Sequence, residues 1–442
     1  MSLFPYQDTA GLLRAVPFPD MVLLRQRFPQ TRIDDVPKAV VTTLEQANIA
    51  THIHSGARIA IAVGSRGIAD IALIVRALVA TLRHYGAEPF IVPAMGSHGG
   101  ATAEGQRMIL ESLGVTETFV GAPIISSLDV DVLGTLSNGM PIHIDRMAHA
   151  ADGIVVVNRI KPHTDFEAPI ESGLSKMVAI GLGKHAGALT IHSWGVEGLS
   201  RYTAEAAKFA VARSAILFGL AIVENASDEV AEIAVVPAEG IGNEPERALL
   251  EHAKAMMPRL PWDSLDVLVI DKMGKNISGA GMDTNIIGRM RCTAQQKATA
   301  AKITNVTVHD LTEESHGNAI GLGLADFTTA HVINKADTQA MYINSLTAGV
   351  IAMESAKIPM VLETDREAVA AALRSCGHPD PTMALLARIE NTLRLEYILA
   401  SVACLDHLRS GSYVEVMSAP HPFTFRSDGS LTPFGGVFSA FP

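Results

Sequence analysis

Short apolar runs that end in glycine alternate with long segments rich in alanine and leucine over the first half of the chain. Arg58-IAIAV-Gly64 reads as a buried parallel strand, and Ile68 to Tyr85 reads as a helix stopped by Gly86. Phe90 to Met95 predicts the next strand, and Thr102 to Leu113 predicts a helix ending at Gly114. Strand, helix and strand in that order make a βαβ unit whose strands are parallel and adjacent. Gly153 to Asn158 predicts a β-branched strand, Arg201 to Gly219 a helix, and Glu232 to Ala238 a further strand. Leu265 to Asp271 opens a second α/β region, and Thr382 to Leu399 reads as a helix. The segment before residue 45 carries several prolines and no strong period, so an irregular entry segment is expected. The tail from Pro420, rich in Pro, Gly and Phe, is expected to pack across the other domain. The pattern predicts two α/β domains with largely parallel sheets, residues 1–262 and 263–442, with an active-site cleft between them.

Composition narrows the classes. Hydrophobic residues make up 48% of the 442 positions and charged residues 18%, which fits large buried sheets and excludes a disordered chain. The apolar stretch Ala204 to Val223 is interrupted by Glu205, Lys208, Arg213 and Ser214, so it reads as buried helix and not as a membrane span. The formal net charge is −11 and no basic run occurs, so nucleic acid is not an expected partner. An acidic substrate must be held by a few local cations. The three cysteines, Cys292, Cys376 and Cys404, match no zinc or redox spacing, and their odd number argues against a disulfide framework, so a reduced cytosol is expected. The opening MSLFPYQDTAGLLR has no charged region followed by an apolar one, so no signal peptide is expected there.

In parallel sheets, ligands gather beyond the carboxyl ends of the strands. Ser65-Arg66-Gly67 follows the first predicted strand, Gly96-Ser97-His98-Gly99-Gly100 the second, and Asn158-Arg159-Ile160-Lys161-Pro162-His163 the third. If the strands are parallel, Arg66, His98 and His163 emerge at one rim. Arg66 reads as a guanidinium fork for a carboxylate or as a surface arginine paired with an acid. His98 lies among glycines that let a ligand approach, although a lone loop histidine is commonly just exposed. His163 reads as an acid–base group or as a plain loop residue, and Lys161 and Asp165 as solvated charges.

Glu171 to Gly195 is poor in charge yet contains Lys176, Lys184, His185 and His192. A lysine in an apolar setting has a lowered pKa and can serve as nucleophile or attachment point, or it can be a phosphate-binding or snorkelling residue. Composition does not choose between the two lysines. Neither Gly181-LGKHA-Gly187 nor Gly321-LGLAD has dinucleotide-binding spacing, and there is no P-loop and no Gly-x-Ser-x-Gly elbow. Thr51-HIH-Ser55 offers two histidines on one face of a strand, for a metal or as a solvated edge. Gly274 to Arg289 suits an anion-binding or domain-facing loop, and His316 shares the Ser-His-Gly setting of His98; tight-turn chemistry accounts for both equally well.

Taken in order, Ser65-Arg66, Gly96-Ser97-His98, His163, Ser172-Gly173-x-x-Lys176 and His192 resemble the nickel-dependent lactate racemase family over roughly residues 55–200, and more weakly through Gly274 to Arg291. Sixteen residues separate Lys176 from His192, as in that family. The resemblance implies an isomerase, a racemase or epimerase of a small 2-hydroxy acid. It implies a nickel–pincer nucleotide, a pyridinium bis-thiocarboxylate mononucleotide, tethered through Lys176 with His192 as nickel ligand and Ser65 in the cofactor site. His98 and His163 match the two acid–base histidines, Arg66 matches the arginine that holds the substrate carboxylate, and Asn285 and Arg291 fall where further substrate contacts are made.

The sequence departs from the lactate enzyme in several places. The loop from His163 to Lys176 is longer and contains Thr164-DFEA-Pro169; Ile191 stands where methionine is expected before the nickel histidine; Ile287 and Gly288 replace an aromatic and an amide residue; and Arg291 stands near an expected lysine. These changes imply a 2-hydroxy acid other than lactate, larger or a sugar acid. Two other readings use the same residues: a non-catalytic carboxylate- or cofactor-binding protein, and a lyase or hydrolase using His98, His163 and a plain divalent metal.

Overall fold

The segment before residue 45 forms regular structure. Strand β1 (Asp20–Gln26) pairs antiparallel with the strand Tyr397–Ser401, Leu23 opposite Leu399, and helix α1 (Val36–Gln46) follows it, capped by the Asp35 carboxylate. Val22 and Leu24 of β1 enter one core and Met21 and Leu23 another, so the strand is buried on both faces. The computed structural model describes residues 11–65, 67–290, 295–296 and 300–435. The chain divides into two units, Met1–Phe28 with Pro258–Pro442, and Pro29–Met257. The division expected at 1–262 and 263–442 is thereby corrected at its start. Residues before Pro29 belong with the C-terminal sheet, because pairing β1 there satisfies its backbone and buries both its faces. The expectation for the tail is corrected as well: His421–Pro422 pairs with β1 inside this same unit.

The unit Pro29–Met257 is built on a five-stranded sheet. Its strands are β2 (Arg58–Val63), β3 (Glu88–Pro93), β6 (Gly153–Arg159), β7 (Ile216–Glu224) and β8 (Val230–Pro237), and their spatial order is β3-β2-β6-β7-β8. A separate antiparallel hairpin of β4 (Val130–Thr135) and β5 (Pro141–Asp145) lies between β3 and β6 in the chain. The first four strands of the sheet order are parallel and β8 is antiparallel. Ile59, Ile61 and Val63 alternate with alanines along β2; they face one core with Val155 and Val157 of β6 and the apolar sides of α1 and α2 (Ile71–His84). Each such aliphatic side chain contributes about 1.5–3 kcal/mol on burial. The opposite face receives the segment from Leu174 to Gly181. Glycine at 219 in β7 makes room for it, since a Cβ there would lie 2.4 Å from Leu174 Cδ1.

The helix predicted over Arg201 to Gly219 is cut short. Residues 216–219 were expected to end a helix, but they begin β7, and the helix α5 (Thr203–Val211) is shorter than predicted. A buried apolar run such as ILFGLAIV offers no periodicity to separate helix from strand, and the open place between β6 and β8 decides it. The helices α3 (Ala103–Ser112), α4 (Lys184–His192) and α6 (Glu244–Met256) complete the elements used below.

In the other unit, β9 (Ser264–Ile270), β10 (Lys302–Val308), β11 (Phe327–Thr329) and β12 (Met360–Leu362) run parallel, with β13 (Leu386–Ile389) parallel on the far side of β9; β14 (Tyr397–Ser401) and β1 follow, antiparallel. Strand order along the chain thus reverses between β9 and β13. The helix expected over Thr382 to Leu399 is corrected to the two strands β13 and β14. Asn391 turns the chain between them by accepting the Leu393 and Arg394 N–H groups. Both units are α/β with largely parallel sheets. Among the described residues, no helix is long and apolar enough to cross a membrane.

Candidate active site at the carboxyl edge of the first parallel sheet

Because β3, β2 and β6 are adjacent and parallel, the loops after them open at one edge. Ser65 follows β2 and its Oγ hydrogen-bonds Nδ1 of His98, which follows β3. His98 is exposed, while the loop beneath it is tightly held. Gly99 takes φ +66°, and a Cβ there would lie 2.5 Å from the Gly105 backbone, so residue 99 needs glycine on both counts. Thr102 closes the loop by capping α3 through Gly105 N–H. Arg66 lies outside the described residues.

His163 stands in the loop after β6. That loop is tied at its base by Lys161 and Ser172, which exchange two backbone hydrogen bonds of 2.9 and 3.2 Å. His163 is 9% exposed, stacks on Phe166 at 4.4 Å between ring centres, and donates its backbone N–H to Glu171 Oε2 at 2.7 Å. Its Nδ1 accepts the Asp165 N–H at 3.1 Å, and its Nε2 lies 2.8 Å from Lys176 Nζ. With Nδ1 so occupied, a neutral His163 ring carries its proton on Nε2. The contact with Lys176 is then a hydrogen bond only if the lysine is an uncharged amine. Such an amine is a nucleophile.

Lys176 is placed by the residue before it. Ser175 donates its N–H and its hydroxyl to the buried Glu246 at 2.9 and 2.6 Å, and Gly242 N–H adds a third bond at 2.8 Å. Gly173 permits that approach, since a Cβ there would meet Glu246 Oε1 at 2.6 Å. Beyond Lys176 the helix widens into a π-helical stretch, Met177–Gly181, a departure that recurs at functional sites. His192 ends α4, half-buried. Burial first, and second the charge that Lys176 carries when protonated, push its imidazole below the usual range. A neutral imidazole is the form that ligates metals. Among the described residues, no group of three or more His, Cys, Asp or Glu is arranged around a metal position.

Ser65, His98, His163, Lys176 and His192, the candidates named from the sequence, all lie in this unit, whereas the two buried carboxylates that hold the loops, Glu171 and Glu246, were not named. Glu171 also pairs with Lys254 of α6 at 3.0 Å. Helix α6 was not predicted, although Asn243-Glu-Pro-Glu, with proline at its start and acids in its first turn, announces it. His52 closes a short 3₁₀ turn and His54 follows it, both exposed, so the strand expected there does not form.

The other predicted positions lie in the second unit. Asn285 donates both its backbone N–H and its side-chain amide to Asp283 at 2.8 Å. Arg291 lies outside the described residues. In the Gly274 to Arg289 loop, Lys275 bonds Gly279 O and Asn344, and Arg289 pairs with Asp326 at 2.6 Å, so both cations have protein partners. His316 takes φ +47° after the turn Glu313–Ser315, and the Ser315 hydroxyl accepts the Lys275 N–H at 2.9 Å. The carboxyl edge of this second sheet borders a cavity of about 460 Å³, walled in part by Asp271, His309, Thr329, Asp365 and Arg388.

Residues 21–198 match the family model of the lactate racemase N-terminal domain. The lactate racemase apoprotein from Thermoanaerobacterium thermosaccharolyticum shares the fold, at 15% identity and a TM-score of 0.50, over 84% of this chain and 98% of that one. A structural-genomics protein from Thermotoga maritima overlaps 62% of this chain and 69% of its own, at 16% identity and a TM-score of 0.45. No curated protein matches the chain.

Proposed function

We propose that this chain, whose residues 21–198 match the lactate racemase N-terminal domain, is a racemase or epimerase of a 2-hydroxy acid that works with a nickel–pincer nucleotide tethered to Lys176. The observation that carries the reading is the 2.8 Å contact between Lys176 Nζ and His163 Nε2, at the sheet edge where Ser65 holds His98. Taking the hydrogen on the carbinol carbon as a proton leaves a carbanion beside a carboxylate, which a histidine base does not stabilise by itself. When bound, the nucleotide supplies a reversible hydride acceptor, which is chemistry no side chain offers. The residues fit that group: Lys176 is an amine poised for attachment, and His192 is a neutral imidazole able to ligate nickel. His98 and His163 then move the hydroxyl proton, one for each enantiomer, and each must act as base in one direction and acid in the other. Arg66 would hold the substrate carboxylate, and Asn285 and Arg291 are further candidates for substrate contacts. The longer loop between His163 and Lys176, with Phe166 stacked on His163, supports a substrate other than lactate.

The test is intact-mass and metal analysis of protein co-produced with the cofactor-making enzymes, wild type beside Lys176→Ala. A nickel-bearing adduct present only in the wild type, followed by interconversion of enantiomers in a 2-hydroxy-acid panel, is the expected result. Fully loaded protein that racemises nothing in that panel overturns the catalytic reading in favour of a binding protein. Absence of an adduct, under conditions that load a lactate racemase, overturns the tether.

A further inference from the structure

We propose that Gln106, Lys184 and Asp145 form a buried positioning relay that sets the His98 loop. The inference deepens the reading above, because it takes His98 as one of the two proton-moving groups. Gln106 projects from α3 and is fully buried. Its Nε2 donates to Gly96 O at 2.8 Å and to His98 O at 3.3 Å, and so grips the loop on both sides of Ser97. A glutamine amide is nearly symmetric in shape and can present either end. Turned over, it would set its oxygen against two carbonyl oxygens and release the loop.

Lys184 decides which way the amide faces. Its ammonium group has donors only, and Gln106 Oε1 lies 3.4 Å from Nζ, so the amide oxygen must face the lysine and the amide nitrogen must face the loop. Lys184 also donates to the Pro93 carbonyl at the end of β3 and forms an ion pair with Asp145, Nζ 2.9 Å from Oδ2. The ammonium group is thus held by two hydrogen bonds and one carboxylate. An aliphatic side chain would fill the space and leave only the two loop carbonyls to orient the amide. Asp145, at the end of β5, is itself fixed by accepting Ala148 N–H at 2.8 Å.

The lysine is costly to keep. It is fully buried, and it takes φ +54° at the first residue of α4, where a non-glycine residue is strained. Burial pushes its ammonium pKa down, and Asp145 pushes it back up. Replacing a buried ion pair with apolar residues is often neutral or favourable, so stability alone does not account for its presence. A role in orienting Gln106 does.

The test uses the full-length protein and two variants. Lys184→Met/Asp145→Asn removes both charges together, so neither is left buried and unpaired. Gln106→Leu leaves the ion pair in place and removes the grip on the loop. In both, amide hydrogen exchange over residues 96–102 should quicken about tenfold, the loss of roughly one hydrogen bond. The ¹⁵N shift of His98 Nδ1 should move away from its Ser65-bonded value, and kcat should fall about tenfold with KM unchanged. Wild-type exchange and wild-type ring shift in either folded variant overturn the relay. The exchange and ring-shift readouts do not depend on turnover. A loop that loosens in a protein inactive as wild type upholds the relay and counts only against the racemase reading.

Discussion

The carboxyl edges of the two sheets use charge in opposite ways. At the edge of the nine-stranded sheet, buried cations meet acids. Arg388, 2% exposed, makes two bonds of 2.7 Å to Asp271, and His309 meets Asp365 at 2.9 Å and Thr307 at 2.7 Å. At the edge of the five-stranded sheet, bases meet bases. Lys176 faces His163, and burial together with a protonated Lys176 disfavours a proton on His192. Ion pairing offsets the cost of burying a charge, whereas an amine set against imidazoles gathers groups that can bind or move a proton. The first arrangement holds a fold together, and the second suits chemistry at neutral pH.

That contrast can be broken by substitution. Arg388→Leu leaves Asp271 as an uncompensated buried charge and should cost about 3–5 kcal/mol of stability, read from urea denaturation. A shift below about 1 kcal/mol would mean that the pair is not structural. His98→Gln should leave the denaturation midpoint in place, because the ring is exposed, while lowering kcat of the loaded enzyme about 10²–10⁴-fold. An equal fall in stability would erase the distinction between the two edges. Glu246→Gln keeps the shape but weakens the bonds to Ser175 and Gly242, so a loss of about 1–3 kcal/mol is expected, together with slower attachment at Lys176 in a time course of adduct mass. The smallest effect concerns Cys404, fully buried beside Ser401 in the second unit, its thiol pushed up to about 12 by burial. At about pH 8 such a thiol is ionised to about one part in ten thousand, so a thiol reagent should label it only in denaturant. Labelling of the native protein at the rate of a free cysteine would show that this core opens.

Strands β2 and β3 were legible because each is a short apolar run closed by glycine, with a helix behind it, and β6 because it is a β-branched apolar run. The loops that bear His98 and His163 follow from that order alone. Helix α6 had start signals in plain sight and an apolar stripe at Leu250, Ala253 and Met256, yet it was passed over, and Glu246 was missed with it. Strands β7, β13 and β14 were misread as helix because a strand buried on both faces has no polar side, and its sequence alternates nothing. Gln106 and Lys184 were beyond reach for another reason. Gln106 sits in an ordinary helix sequence, and Lys184 was indistinguishable from Lys176 by composition. Only the resemblance separated the two lysines, and it gave Lys184 no role.

The sequence by itself determined the α/β class, the three parallel strands with their loops, and the residue types able to carry the chemistry. These rest on local patterns, since apolar runs, glycine stops and spacing act over a few residues. Tertiary structure decided that the first strand belongs to the last sheet, that Lys176 meets an imidazole while Lys184 meets a carboxylate, and that two distant glutamates hold the loops. Those outcomes depend on which groups are buried together. Burial sets the cost of a charge, and the neighbour that offsets it can come from any point along the chain.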